Sequence, residues 1–163
     1  MQEMMQAAQQ AANVLQERNW QLVTAESCTG GLIGATCTEL SGSSAWFFGG
    51  VISYANEAKE RGLSVKHSTL ECEGAVSAAT VVEMCAGALS FGGDVAVAVS
   101  GVAGPSGGSP EKPVGCVYIA WQLKGEEAEA VRFLFLGDRQ AVREATVLTA
   151  LNGVVSRVKD SKK

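Results

Sequence analysis

Gly42-Ser43-Ser44-Ala45-Trp46-Phe47, followed by Tyr54-Ala55-Asn56-Glu57-Ala58-Lys59, places a small hydroxyl nucleophile within one short α/β step of a tyrosine and a lysine. Such a set can run acyl transfer without any histidine, provided the lysine is neutral. The aromatic run Trp46, Phe47 and Phe48 bears on that condition. Apolar walls exclude water, and desolvation lowers a lysine pKa towards the range of a general base. The single histidine, His67, lies in a polar connecting stretch, so a Ser-His-Asp arrangement would depend on that ring alone. A capping serine and a solvated helix lysine are the plainer alternative.

Two glycine-rich turns offer places for a ligand. Ala25-Glu26-Ser27-Cys28-Thr29-Gly30-Gly31 follows a strand and opens a helix, so its backbone amides can approach an anion at the positive helix end. Glu26, Thr29, Gly30 and Gly31 are its candidate binding positions, and a plain strand-to-helix turn capped by Thr29 is the alternative. Ser100-Gly101-Val102-Ala103-Gly104-Pro105-Ser106-Gly107-Gly108 leaves the most apolar strand of the chain, where α/β sheets place ligands. Ser100, Gly101, Gly104 and Gly107 are candidates there. The spacing matches neither the dinucleotide fingerprint nor a Walker loop. Ser109 and Lys112 have the Ser-x-x-Lys spacing, but Pro110 lies between them in a glycine-rich loop, which does not suit a nucleophile at a helix start. Arg139 and Arg143, four apart on one helix face, can hold a phosphate or pair with Asp138 and Glu144.

The elements that must position these residues follow from periodicity. Met4, Ala8, Ala11 and Leu15 mark a helix over residues 4–18, and Trp20 to Ala25 reads as a strand. A helix from Thr29 to about Leu40 follows, then a strand over Phe48 to Tyr54 and a short helix over Asn56 to Gly62. Ser64 to Gly74 is expected to be irregular or briefly helical. Ser77 caps the next helix, with Ala78, Val82, Cys85 and Leu89 as its apolar stripe. Asp94 to Ser100 lacks polar alternation, which predicts a strand covered on both faces. Val114 to Gln122 and Glu127 to Leu136 form a hairpin around Lys124-Gly125. A final helix starts at Asp138, with Ala141, Ala145, Leu148, Leu151, Val155 and Val158 as its apolar face. This alternation predicts a single domain over 1–163, a three-layer α/β/α sandwich with a mixed, largely parallel sheet.

Composition narrows the function classes. A formal net charge of −4 over 163 residues disfavours nucleic-acid binding, which needs a basic footprint. The lysines at the end, Lys159, Lys162 and Lys163, read as a solvated helix terminus. Five cysteines without a Cys-x-x-Cys pair argue against a zinc site and for reduced thiols used as small core residues. No apolar run approaches the ~20 residues of a membrane span. Residues 1–18 are polar and glutamine-rich, so no secretory signal is expected and a cytoplasmic location is. No metal or other cofactor is required by the chemistry read here.

As a set, seven segments resemble the CinA C-terminal domain family, whose stand-alone members are nicotinamide-nucleotide amidohydrolases. They are Glu26-Ser-Cys-Thr-Gly-Gly31, Gly42-Ser-Ser-Ala-Trp-Phe47, Tyr54 with Asn56-Glu-Ala-Lys59, Gly74-Ala-Val-Ser77, Ser100-Gly-Val-Ala-Gly-Pro105, Lys112-Pro-Val-Gly115, and Gly137-Asp-Arg139 with Val142-Arg143. The resemblance spans about residues 5 to 158. It implies hydrolysis of the carboxamide of nicotinamide mononucleotide to nicotinate mononucleotide and ammonia, with recycling for NAD synthesis. By position, it implies Ser44 as nucleophile, Lys59 as general base, Tyr54 as an aid to proton transfer and Ser27 close to the reacting centre. It also implies self-association into a dimer or higher oligomer. Longer members carry a further N-terminal domain resembling molybdopterin-binding proteins, whose activity is not expected here. The chain departs from the family pattern at Ser106 and Cys116. A silent nucleotide-binding module acting through partners is the alternative function.

Overall fold

Val95–Gly101 is buried along nearly its whole length, and that apolar stretch forms the middle strand of a five-stranded sheet. The computed structural model describes residues Met1–Lys163. In chain order its elements are α1 (Gln2–Arg18), β1 (Leu22–Glu26), α2 (Leu32–Thr38), a 3₁₀ turn (Ser43–Ala45), β2 (Phe47–Ile52), α3 (Asn56–Leu63), α4 (His67–Glu73), α5 (Ala78–Phe91), β3 (Val95–Gly101), β4 (Cys116–Leu123), β5 (Glu129–Leu134) and α6 (Arg139–Asp160).

The sheet order is β2-β1-β3-β4-β5. β1 pairs in parallel with both β2 and β3, while β4 runs antiparallel to β3 and β5. Only β4 therefore opposes the common strand direction, and the sheet is mixed and largely parallel, as expected. Side chains alternate across it. On β3, Val95, Val97 and Val99 join a core with residues of α1, α2 and α6. Ala96 and Ala98 join the opposite core with residues of α3, α4 and α5. Helices on both faces make the α/β/α sandwich.

The common direction has one consequence that matters for function. β1, β2, β3 and β5 all deliver their C-terminal ends to one edge of the sheet. The 27–31, 53–55 and 101–108 segments and the start of α6 meet there.

The 67–73 stretch is a short helix, within the expectation for Ser64 to Gly74. Other details differ from the sequence expectation. The buried residues of α5 are Thr80, Val81, Met84, Cys85 and Ala88, so its stripe is rotated by about one position from Ala78, Val82 and Leu89. On α6, Val142, Val147 and Val154 are buried as well as Leu151, Val155 and Val158, because the helix packs against both the sheet and α1. Ser77 caps α5 as expected, its Oγ accepting from Thr80 N at 3.2 Å, and Asp138, the expected start of the last helix, caps α6 by accepting from Ala141 N at 2.9 Å through Oδ1. Thr29 is not a cap. The α2 N-cap position is Gly31, at φ 103°, a left-handed conformation that glycine adopts without strain.

Candidate active site

Lys59 lies in the first turns of α3, immediately after β2, and is 1% exposed. Its Nζ contacts Ser27 Oγ at 2.9 Å, Ser53 O at 2.8 Å and Tyr54 O at 3.0 Å. The two carbonyls can only accept hydrogen bonds. An ammonium would donate to all three oxygens. A neutral amine has two N–H groups for the carbonyls, which leaves its lone pair facing the Ser27 hydroxyl. Burial pushes the Lys59 pKa below its ordinary value, outweighing the opposing influence of the Cys28 thiol. Geometry and desolvation thus both favour an amine that can take the Ser27 proton.

Ser27 is held firmly. Its N–H donates to Val99 O at 3.1 Å, which prolongs the β1–β3 ladder by one residue, and Ser53 N donates to Glu26 O at 2.7 Å. Side-chain alternation along β1 puts Ser27 on the face that carries α3 and α5, where Lys59 waits. Glu26 points the other way. Its carboxylate accepts from Thr29 Oγ1 at 2.6 Å, Ile33 N at 2.9 Å and Gly34 N at 3.0 Å. Both oxygens are engaged in capping α2, so the carboxylate expected as a substrate ligand is bonded within the chain instead. Thr29, buried and bonded to Glu26, supports the same cap through its side chain. Burial raises the Cys28 thiol to about 11, so it is protonated at neutral pH and not a competing thiolate.

The expected partnership of Ser44 with Lys59 is not formed. Ser44 sits in the 3₁₀ turn before β2, while Lys59 follows β2. A six-residue strand, at ~3.3 Å per residue, separates the two ends by roughly 20 Å. Ser44 is exposed, and its carbonyl accepts from Gln21 Nε2 at 3.3 Å, beside the opposite end of β1. The aromatic run goes with it: Trp46 is packed in the α1/α6 core and Phe48 stacks edge-on against Phe91. Those rings are not what desolvates Lys59. His67 is exposed on α4 between Glu60 and Glu71, which raise its pKa, and it contacts neither Ser27 nor Lys59.

α6 ties the segments together. Arg139 donates to Gly104 O at 2.7 Å and to the Tyr54 hydroxyl at 3.2 Å. Arg143 donates to Cys28 O at 3.3 Å and to Thr29 O at 2.8 Å. Neither arginine pairs with Asp138 or Glu144. A cavity of about 460 Å³ lies beside Arg139, lined by Ala103, Pro105, Val114 and residues 137–140. The loop glycines divide by role. A Cβ at Gly101 would come within 2.6 Å of Val117, and one at Gly104 within 2.4 Å of Val114, so these two serve close packing; one at Gly107 would meet only Val102, at an ordinary 3.8 Å. A Cβ at Gly30, where φ is 61°, would meet only Arg143 Nη2, at 3.8 Å. Ser100 is 1% exposed, and its Oγ has no hydrogen-bond partner within the chain. By register it neighbours Ser27 on the adjacent strand.

The structure therefore brings together Ser27, Lys59, Tyr54, Ser100, Arg139, Arg143 and the two glycine turns, and leaves Ser44 apart. Ser53 was not anticipated. It contributes a main-chain carbonyl, for which no side-chain type in a sequence is a signal.

Comparison with known proteins gives a consistent picture. The CinA C-terminal domain family matches residues 4–158. The nicotinamide-nucleotide amidohydrolase PncC of Escherichia coli K12 is 47% identical over 150 residues, covering 91% of each chain. PncC of Pseudomonas putida is 49% identical over 142 residues, covering 86% of this chain and 88% of its own length. Among solved structures, a competence-damaged protein (CinA) superfamily protein of Klebsiella pneumoniae 700603 superposes with a TM-score of 0.93 at 37% identity, covering 97% of this chain and 99% of that one.

Proposed function

The chain belongs to the CinA C-terminal domain family, and from that premise we propose that it hydrolyses the carboxamide of nicotinamide mononucleotide, giving nicotinate mononucleotide and ammonia. The observation that carries this reading is the buried Lys59 Nζ 2.9 Å from Ser27 Oγ, with its other two contacts to carbonyls. The names of the relatives supply the substrate class.

In this mechanism neutral Lys59 accepts the Ser27 proton, and Oγ attacks the carboxamide carbon. Negative charge gathers on the former carbonyl oxygen, where backbone amides of the 27–31 turn are the donors at hand. One such donor is typically worth ~3 kcal/mol in the transition state. The proton on Lys59 passes to the leaving nitrogen, and the C–N bond breaks to release ammonia. Water then attacks the acyl ester, again giving its proton to Lys59; the ester C–Oγ bond breaks, and that proton passes to Oγ, which regenerates Ser27 and neutral Lys59. The Tyr54 hydroxyl, held by Arg139, lies at the mouth of the site and aids proton transfer. The nucleotide phosphate takes the cavity beside Arg139, towards Gly107. No step calls on a metal or cofactor.

Recycling of pyridine nucleotide towards NAD, a cytoplasmic location and self-association into a dimer or higher oligomer belong to the same proposal. No helix is long and apolar enough to cross a membrane. The test is ammonia release and nicotinate mononucleotide formation by the purified protein given nicotinamide mononucleotide. Binding without turnover would instead identify a silent nucleotide-binding module, and light scattering gives the oligomer size.

A further inference from the structure

Arg143 resembles a phosphate ligand in the sequence, yet both of its hydrogen bonds are to the main chain of the nucleophile's own turn. Its Nε reaches Cys28 O at 3.3 Å and its Nη2 reaches Thr29 O at 2.8 Å. Arg143 comes from α6, on the face of the sheet opposite α3 and Lys59. A trans peptide unit is planar, with its C=O and N–H pointing in opposite directions. Pulling the Cys28 carbonyl towards α6 therefore turns the Thr29 N–H towards the face that carries Ser27 Oγ and Lys59.

The hydrogen bonding of the turn leaves that amide available. Ser27 N donates to Val99 O and Gly30 N to Ser27 O, whereas Cys28 N and Thr29 N donate to no other residue of the chain. Thr29 is fully buried and Cys28 nearly so. Buried backbone N–H groups without a partner are rare, because each costs free energy comparable to a lost hydrogen bond. Two such groups in succession, directly after the hydroxyl that Lys59 contacts, are where donors for an oxyanion are needed.

We infer that Arg143 is a positioning residue. It holds the Cys28–Thr29 peptide plane so that the Thr29 N–H, with the Cys28 N–H beside it, receives the oxyanion formed when Ser27 attacks the carboxamide. This deepens the proposed amidase reading and rests on it. Arg suits the task better than Lys, because its planar fork can hold two carbonyls at once.

The experiment is a comparison of Arg143→Lys and Arg143→Ala with the unaltered protein, using nicotinamide mononucleotide as substrate. Loss of an oxyanion donor lowers kcat, by about 10²-fold where a single donor is removed, and leaves KM nearly unchanged. Added guanidinium ion restores part of the kcat of Arg143→Ala. A large rise in KM with kcat intact would show that Arg143 holds the substrate's phosphate, and would overturn the inference. Because Arg143→Ala loses a strut between α6 and the turn, Arg143→Lys carries the kinetic test should the alanine variant not fold. A crystal structure of the folded variant gives an arm independent of turnover: a Cys28–Thr29 peptide plane unmoved by the substitution sinks the inference. Absence of turnover in the unaltered protein would instead count against the amidase reading alone.

Discussion

The two ends of β2 hold similar chemical material and put it to different use. Before the strand come Ser43, Ser44 and an aromatic run; after it come Ser53, Tyr54 and Lys59. At the first end the hydroxyl of Ser44 is exposed, and Phe48 and Phe91 lie partly open to solvent. At the second end a lysine is buried against a serine and two carbonyls. The difference follows from strand direction. C-terminal ends of parallel strands converge on one edge, so the residue that meets Lys59 comes from the end of β1, far away in sequence, and not from the start of β2. Reactivity depends on the enclosure that convergence creates.

The sharpest way to break this comparison is to remove each serine. Ser27→Ala is expected to lower the rate of ammonia release by at least about 10³-fold, the scale of losing a nucleophile from a unit that acts together. Ser44→Ala should retain near-normal turnover, since its hydroxyl is remote from Lys59. The reverse result, with Ser44→Ala dead and Ser27→Ala active, would hand the nucleophile's role to the other end of the strand.

Lys59 gives the next largest effect, and its sign is fixed by burial. Only the neutral amine can accept a proton, and desolvation holds the folded-state pKa below the ordinary 10.5. The rate should climb with pH through a limb lying below that value. Lys59→Arg should be inactive, because guanidinium retains its proton, and Lys59→Met should lose the limb along with most activity. The same shift affects stability. Between the folded and unfolded pKa values the unfolded chain binds more protons at this group, so stability rises with pH across that window. Denaturant titrations at several pH values should show this slope, and Lys59→Met should flatten it. A limb that survives in Lys59→Met at comparable rate would transfer the base role elsewhere.

What was legible in the sequence divides along the same line. Local features were readable: the Met4–Leu15 stripe, the almost wholly buried β3, the Ser77 cap and the start of the last helix at Asp138 all follow from short-range periodicity and capping chemistry. The residue types that meet at the candidate site were readable too, Lys59 and Tyr54 among them. The pairing was not. Ser27 and Lys59 meet because β1 and β2 lie side by side in parallel, and neighbours in a parallel sheet leave no mark on the spacing of the residues that meet at its edge. Sequence nearness favoured Ser44 instead. Glu26 was ambiguous for a related reason: a carboxylate in a strand-to-helix turn suits a ligand or the helix amides equally well, and its three bonds to Thr29, Ile33 and Gly34 are visible only in the fold. Arg143 acts on carbonyls, which every residue has.

A smaller effect is expected from the packing that holds the second end in place. Gly87 on α5 lies against the end of α3, where a Cβ would sit 2.0 Å from Leu63 O and 2.6 Å from Leu63 C. Backbone atoms cannot step aside as a side chain can. Overpacking of this kind costs about 1–3 kcal/mol, and the better helix propensity of alanine offsets up to about 1 kcal/mol of it. Gly87→Ala should therefore lose up to about 3 kcal/mol in chemical denaturation, less whatever part of that offset the alanine recovers. Because α3 carries Lys59, kcat should fall as well. An unchanged kcat in a destabilised variant would mean that Lys59 keeps its place without this helix contact.

The smallest effect is expected at the first end of the strand. Phe48 is 42% exposed and meets Phe91 edge-on, with ring centroids 5.4 Å apart. An aromatic pair of this kind contributes about 0.5–1.5 kcal/mol beyond its buried area, and much of the Phe48 ring is already in water. Phe48→Ala should cost about 1 kcal/mol in a denaturation midpoint on that scale. Its effect on ammonia release should stay within about twofold, because the ring shares no partner with Ser27 or Lys59. The pH limb should also stay where it is, since the lysine owes its depressed pKa to burial among Ser27, Ser53 and Tyr54. A limb displaced towards higher pH in Phe48→Ala would tell a different story. It would mean that the aromatic run reaches Lys59 across the length of β2 and that the two ends of the strand form one site.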